Sequence, residues 1–172
     1  IMLSNGGTAT VETAKSVPVQ IVESGPAAGV EAAAYFGRLM EIHQLLSFDM
    51  GGTTAKLCII ENGQAARTRS FEVDRVHRFK AGSGLPAAVP VYDLLEMGAG
   101  GGSIARVNDL GLFQVGPDSA GSDPGPVSYD NNGTLPTVTD ADLLLGYLNP
   151  DYFLGGEMTL NINAAENAIT SY

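Results

Sequence analysis

One short run in this sequence combines residue types that could bind a metal ion and a phosphate group together. It reads Asp49-Met50-Gly51-Gly52-Thr53-Thr54. A carboxylate at the end of a buried strand can hold Mg²⁺ or its bound water, and two glycines let the backbone approach a phosphate to hydrogen-bond distance. The threonine hydroxyls would add further donors. Taken alone, the spacing fits equally well a glycine-rich hairpin in which the aspartate only caps the turn.

A second glycine-rich run, Gly98-Ala99-Gly100-Gly101-Gly102-Ser103, is another candidate for phosphate binding. It lacks the third glycine of the dinucleotide-binding fingerprint and the lysine of a P-loop, and a strand-like segment follows it in place of a helix. On its own it favours a tight crossing within a sheet. Together with the Asp49 run, it predicts nucleotide phosphates held between two loops.

Other side chains that could do chemistry give weaker signals. Asp93 and Glu96 could act as metal or base carboxylates, but solvated turn carboxylates are the favoured interpretation. His43 and His77 have no cysteine or acidic partner at metal-ligand spacing, so neither is assigned a catalytic role. Cys58 lies in an apolar run, which favours a buried structural thiol over a nucleophile.

Composition excludes several classes of protein. The chain has 172 residues, and its 9 basic and 19 acidic side chains give a net charge of −10. Residues 81–172 contain one basic side chain, Arg106, and eleven acidic ones, which argues against general nucleic-acid binding. A single cysteine fits a reducing compartment, and no apolar stretch is long enough for a membrane span or a signal peptide. We therefore expect a cytoplasmic protein without nucleic-acid or membrane partners.

Apolar periodicity and turn signals predict an α/β chain whose strands present these runs. In the first half, Ser24-Gly25-Pro26 predicts a helix start with Ser24 or Gly25 as the cap, and the helix reaches about Gln44. Its face of mostly small residues is predicted to pack closely on a sheet and consists of Val30, Ala33, Ala34, Gly37 and Met40. A buried strand at 45–48 leads into the Asp49 run. A short strand is predicted before the helix, at residues 18–22. Two further strands, at 55–60 and 65–73, follow the Asp49 run and flank an Asn62-Gly63 turn, which predicts an antiparallel meander.

The second half is predicted to contain more loops. Residues 89–97 form a strand or strand-like segment before the second glycine run, and 104–107 and 112–115 form a hairpin. A capping box at Thr139-Asp140-Ala141-Asp142 precedes a short helix at 143–148. A last helix is predicted around residues 163–169.

These motifs together resemble the hydantoinase/oxoprolinase family, specifically its large ATP-using subunit of the hydantoinase A type. Six blocks in order carry the resemblance and are spread along most of the chain: residues 24–30, 48–56, 97–105, 115–126, 136–142 and 153–156. One position departs from the pattern, because Lys56 stands where many members have aspartate, and this leaves its role toward phosphate open.

The resemblance implies a mixed α/β sheet with an antiparallel meander and flanking helices, an incomplete lobe of the actin-like, ribonuclease H-like ATPase fold. Residues 1–172 would form a single fragment, the second lobe of the hydantoinase A domain, and we expect this fragment alone to be inactive. ATP and Mg²⁺ are the implied cofactors. Asp49 would be the catalytic and metal-positioning residue, and the implied phosphate-binding residues are Gly51, Gly52, Thr53, Thr54, Gly100, Gly101, Gly102 and Ser103.

The implied activity is ATP-dependent hydrolysis of a cyclic amide such as a hydantoin or 5-oxoproline, through phosphorylation of the ring carbonyl. A hydantoinase B-type subunit or domain is the implied partner. Two alternatives stay open at this point. The parent protein could be the ATP-using subunit of an acetone- or acetophenone-type carboxylase, or an actin-like ATP-binding module without amidase chemistry.

Overall fold

The computed structural model describes residues 1–73 and 82–171, which divide into two compact units. Unit 1 comprises Ile1–Asp49 and Lys56–Leu95, and unit 2 comprises Met50–Ala55 and Glu96–Tyr172. The assignment of the whole chain to one lobe stays a prediction. In the part of the chain that the structure describes, no helix has the length and apolar character needed to cross a bilayer.

Two α-helices lie in unit 1, α1 at Val11–Ser16 and α2 at Ser24–Leu39. The predicted strand at 18–22 is wrong, since Pro18–Ile21 form a 3-10 helix and the fixed φ of Pro18 suits the start of a helical turn. Helix α2 begins at Ser24, close to the predicted start, but its N-cap residue is Glu23 and not Ser24 or Gly25. It ends five residues before Gln44 because the chain turns at Glu41, whose φ of 55° is left-handed and cannot continue a helix.

The first sheet has the strand order β1-β2-β3, which is also the order along the chain. The strands are β1 at Gln44–Met50, β2 at Ala55–Glu61 and β3 at Gln64–Ala65. Strands β2 and β3 are antiparallel and joined by Asn62 and Gly63, with φ of 51° and 72°. Because two consecutive positive φ values define the predicted hairpin turn, the Asn-Gly prediction is confirmed.

The predicted return strand at 65–73 is wrong in extent. It divides into β3, β4 at Arg67–Thr68 and β5 at Phe71–Val73, and each pairs with a different strand. Strand β4 is antiparallel to β7 at Val91–Tyr92, and β5 is antiparallel to β6 at Leu85–Ala87. The predicted strand at 89–97 likewise divides into β7 and β8, the latter at Leu95–Met97.

The core of unit 1 lies between α2 and one face of β2. Its buried residues are Ala27, Val30, Ala34, Cys58, Ile60 and Tyr92. The predicted small-residue face of α2 is confirmed at Val30 and Ala34, whereas Met40, beyond the helix end, is exposed. Cys58 is 2% exposed, and burial, with a smaller contribution from the charge of Asp93, raises the pKa of its thiol. The interpretation of Cys58 as a structural thiol therefore agrees with its surroundings.

Strand β1 is more exposed than predicted. Ser47 is buried, but the side chains on the opposite face, Leu46 and Phe48, are 58% and 54% exposed. The prediction of a buried strand before Asp49 is thus wrong. Side chains alternate between the two faces of a strand, and only one face of β1 is covered in the part of unit 1 that the structure describes.

Lys56, the residue whose role was left open, forms an ion pair at the start of β2. Its Nζ lies 2.5 Å from Oε2 of Glu23, which is the N-cap residue of α2, and each side chain is only 17% exposed. The Lys56 charge therefore joins the start of α2 to β2 inside unit 1.

Substitution of Lys56 by methionine is expected to lower the free energy of unfolding by about 2 kcal/mol, because it leaves the half-buried Glu23 carboxylate without this partner. Urea unfolding monitored by circular dichroism would measure the change. Arg106→Met is the matched control, since the ion pair of Arg106 with Asp118 is 40% and 61% exposed and should contribute below about 0.5 kcal/mol. Equal losses in the two variants would contradict the assignment.

Unit 2 is built on a hairpin and two helices. Strands β9 at Ser103–Val107 and β10 at Phe113–Ser119 are antiparallel, which confirms the predicted hairpin. Helices α3 at Val138–Leu144 and α4 at Ile162–Thr170 pack through a cluster of Leu143, Leu160 and Ala165. Two 3-10 helices, Val127–Tyr129 and Leu154–Gly156, complete the unit. The last predicted helix is confirmed.

The capping box of α3 lies two residues before its predicted position. Thr137 is the N-cap, and its side chain and that of Asp140 accept hydrogen bonds from each other's backbone amides. The box predicted at Thr139 is wrong because the Thr139 hydroxyl donates to Gly101 O. The helix accordingly spans Val138–Leu144 and not residues 143–148.

Candidate functional site

The Asp49 run forms the turn between β1 and β2. Asp49 is the penultimate residue of β1, and its side chain is exposed. The turn is closed by a hydrogen bond of 2.9 Å from the Gly51 amide to Thr54 O. Gly51, Gly52 and Thr53 are exposed, and Thr54 is half-buried. The glycines and threonines of this run therefore lie at the surface of unit 2.

The structure brings the two glycine runs together within unit 2. The amides of Gly101 and Gly102 donate to Gly51 O and Gly52 O at 2.9 and 2.8 Å. A Cβ atom on Gly100 would lie 2.6 Å from both Gly51 O and the Thr53 nitrogen, which is closer than real Cβ contacts. Glycine is thus required at position 100 by a close crossing of two backbone segments.

The backbone amides of the second run donate hydrogen bonds to acceptors within unit 2. Gly100 donates to the Ser103 hydroxyl, and Ser103 donates to Gly100 O, both at 2.9 Å. With the bonds of Gly101 and Gly102, every amide from residue 100 to 103 has a protein acceptor. The direct phosphate contacts expected of Gly100, Gly101, Gly102 and Ser103 stay a prediction, and the observed bonds make this run a support for the first turn.

The first turn presents a different set of donors. The amides of Gly52, Thr53 and Thr54 donate no hydrogen bond within the described residues of unit 2. Consecutive backbone N–H groups without protein acceptors are a common binding surface for anions. Unit 2 has a single basic residue, Arg106, which is ion-paired with Asp118. Backbone amides are therefore the principal positive groups that this unit offers to a phosphate.

Two residues at the start of α3 were not assigned to the site from the sequence: Thr139 bonds the second run directly, and Asp140 fixes the start of the helix that carries Thr139. Thr139 donates both its amide, at 2.8 Å, and its hydroxyl, at 2.9 Å, to Gly101 O. The carboxylate of Asp140 is fully buried and accepts four hydrogen bonds, from the amides of Val127, Ser128 and Thr137 and from the Thr137 hydroxyl. The spacing Thr137-x-x-Asp140 is a capping-box signal that could have located this cluster.

The remaining candidates lie outside this cluster of contacts. Asp93, Glu96 and His43 are exposed, and His77 lies outside the described residues. Within residues 1–73 and 82–171, no group of three or more His, Cys, Asp or Glu side chains could hold a metal ion. Any metal at the turn would therefore take few ligands from these residues.

Known proteins match this chain over nearly its whole length. The profile of the Hydantoinase/oxoprolinase family matches residues 1–172. Protein MJ0964 of Methanocaldococcus jannaschii is 44% identical over 99% of this chain and 25% of that protein. Caprolactamase subunit alpha of Pseudomonas jessenii is 40% identical over 98% of this chain and 23% of the relative. The nucleotide-free structure of acetone carboxylase, solved for ATP-dependent acetone carboxylation, has a TM-score of 0.70 at 31% identity and covers 99% of this chain and 22% of that chain.

The structural likeness confirms the predicted fold class, α/β with antiparallel strands and flanking helices. The chain spans about a quarter of the length of the curated relatives it matches. Because the family profile matches every residue from 1 to 172, the chain belongs to the hydantoinase/oxoprolinase family.

Proposed function

We propose that the natural protein carrying this chain hydrolyses a cyclic amide of the hydantoin or 5-oxoproline class at the expense of ATP, and that the turn at residues 51–54 holds the ATP phosphates. The observation that carries the proposal is the row of amides at Gly52, Thr53 and Thr54, which belong to exposed or half-buried residues and have no acceptors among the described residues of unit 2. Membership of the family supports the reaction class.

The donor set at the turn fits a nucleotide with its magnesium ion. Phosphate oxygens accept hydrogen bonds from backbone N–H groups, and Mg²⁺ is commonly held by one or two carboxylates together with substrate phosphates. Asp49 supplies one such carboxylate next to the turn in sequence. Since the second half of the chain is strongly acidic, phosphate would be repelled unless a cation accompanied it, and binding should therefore depend on Mg²⁺.

The residues of this chain would bind Mg²⁺·ATP and orient its phosphates. When bound, Mg²⁺·ATP supplies the phosphoryl group that makes the amide carbonyl carbon more electrophilic and its oxygen a better leaving group. Gly52, Thr53 and Thr54 would neutralise charge on the phosphate oxygens through their amides, and the threonine hydroxyls would add donors. Phosphoryl transfer depends mainly on such positioning and charge neutralisation. A hydantoinase B-type partner would complete the activity, and the name of the caprolactamase relative as a subunit supports a partner subunit of some kind.

The activity test uses the natural full-length protein with any partner subunit encoded beside it. ADP release would be measured with hydantoin, 5-oxoproline and caprolactam, and separately with acetone plus bicarbonate. We expect ADP release stimulated by a cyclic amide, with ring-opened product in equal amount. Stimulation only by acetone and bicarbonate would favour the carboxylase alternative, which the likeness to acetone carboxylase supports. ATP binding with no turnover of either class would favour a binding module.

Asp49→Asn in the full-length protein is expected to lower kcat for ATP hydrolysis about 100-fold or more, because the amide keeps the shape of the side chain and removes its charge toward Mg²⁺. Steady-state ADP release at several Mg²⁺ concentrations would measure the change. Asp109→Asn, an exposed carboxylate in the turn of the β9–β10 hairpin, is the matched control and should retain full activity. Unchanged kcat in Asp49→Asn would remove Asp49 from the site.

A further inference from the structure

Thr139 is the contact that connects helix α3 to the glycine crossing. Its side chain is 8% exposed, and its amide and hydroxyl both donate to Gly101 O. The Gly101 amide in turn donates to Gly51 O, and the Gly51 amide donates to Thr54 O. One continuous set of hydrogen bonds therefore runs from Thr139 to the closing bond of the turn.

We propose that Thr139 is a positioning residue for nucleotide binding, which sets the orientation of the amides at Gly52, Thr53 and Thr54 through Gly101. The inference rests on the proposed function, because it concerns the same turn. Thr139 itself would not contact the phosphates, since its hydroxyl donates to Gly101 O.

The packing around Gly101 shows that Thr139 lies directly against the second run. A Cβ on Gly101 would lie 2.7 Å from Thr139 Oγ1, so the glycine and the threonine occupy complementary volumes. Gly101 O still receives the Thr139 amide when the hydroxyl is removed, and it is not left without a donor. Loss of the hydroxyl should therefore loosen the peptide at residue 101 while costing the fold only one of two bonds.

The alignment of α3 itself depends on other groups. Thr137 and Asp140 cap the helix and attach it to the segment at Val127 and Ser128. A change confined to the Thr139 hydroxyl leaves these bonds in place. The effect on the turn can thus be separated from the effect on the helix.

Thr139→Val in the full-length protein is expected to raise KM for ATP about three- to tenfold, the loss that one hydrogen bond of ordinary strength produces, with kcat changed less than about twofold. Thr139→Ser keeps the hydroxyl and should restore KM to within about twofold. A purely structural role predicts the opposite split, because a smaller folded fraction lowers the apparent kcat and leaves KM unchanged.

Two further variants keep the test decisive. Thr139→Ala removes the same hydroxyl with no added methyl group in its place, and it should raise KM as Thr139→Val does if the valine variant folds poorly. Ser4→Ala removes a buried hydroxyl in unit 1 that donates to Gln20 O, and it should lower the melting temperature without changing KM. An unchanged KM in both Thr139 variants, with active wild type, overturns the positioning role alone. A wild type that neither binds nor hydrolyses ATP overturns the proposed function as well.

Discussion

Gly100→Ala is expected to lower the free energy of unfolding by about 3 kcal/mol and to abolish ATP turnover by the full-length protein. The added methyl group would lie 2.6 Å from Gly51 O, 2.6 Å from the Thr53 nitrogen and 2.7 Å from the Thr53 carbonyl carbon. All three are backbone atoms, so no side chain can rotate to make room. The turn itself must move, and its amides would move with it.

Urea unfolding of the 172-residue chain and ADP release by the full-length protein would measure the two effects of Gly100→Ala. Gly29→Ala is the matched control. Gly29 is exposed in α2, and a Cβ there would meet nothing within 4 Å, so alanine should raise stability by about 0.5–1 kcal/mol through its better helix propensity. If Gly100→Ala were as stable as the wild type, the close crossing would be wrong.

Asp140→Ala is expected to produce the largest loss of stability, about 4 kcal/mol. Its buried carboxylate accepts from three amides and one hydroxyl, and removal leaves four donors inside unit 2 without their acceptor. Each buried donor left unsatisfied costs roughly 1–3 kcal/mol when water cannot replace the lost acceptor, and partial relaxation keeps the total below a simple sum. Thermal and urea unfolding would give the value.

Asp140→Asn should lower the free energy of unfolding by about half as much as Asp140→Ala, because the asparagine amide retains one acceptor oxygen in the same place. Asp142→Asn on the same helix is the control. Burial raises the pKa of the Asp142 carboxyl, which means that its charged form is disfavoured in the folded protein. Neutralising Asp142 should therefore not lower stability at pH 7. Similar losses at positions 140 and 142 would show that the Asp140 hydrogen bonds contribute little.

Local signals located most elements of the fold. The Asn62-Gly63 turn, the start of α2 at Ser24 and the β9–β10 hairpin are set by neighbouring residues, so sequence alone could predict them. The return strand at 65–73 was mispredicted because its division depends on partners 12–25 residues later in the chain. Short-range patterns contain no information about which strand will pair with which.

In the candidate site, too, neighbouring residues could be interpreted from the sequence, whereas contacts between distant residues could not. Glycine spacing identified both runs, but it could not indicate that the second run donates its amides to the first. Thr139 was predicted to be a cap, since a threonine before Asp140 and Asp142 fits that pattern as well as Thr137 does. The choice between them is made by Gly101, 38 residues earlier, whose carbonyl oxygen accepts the Thr139 hydroxyl.

Amide hydrogens at the glycine crossing should exchange with solvent deuterium in two kinetic classes. Those of Gly101 and Gly102 are held by carbonyl oxygens of the opposite run, and their exchange requires local opening of unit 2. Those of Gly52 and Thr53 belong to exposed residues and have no acceptors in the described part of this unit, so they should exchange rapidly. An anion that accepts these two amides would slow their exchange while leaving the protected pair unchanged. Exchange rates at four neighbouring glycine and threonine amides thus report occupancy of the turn independently of any catalytic turnover.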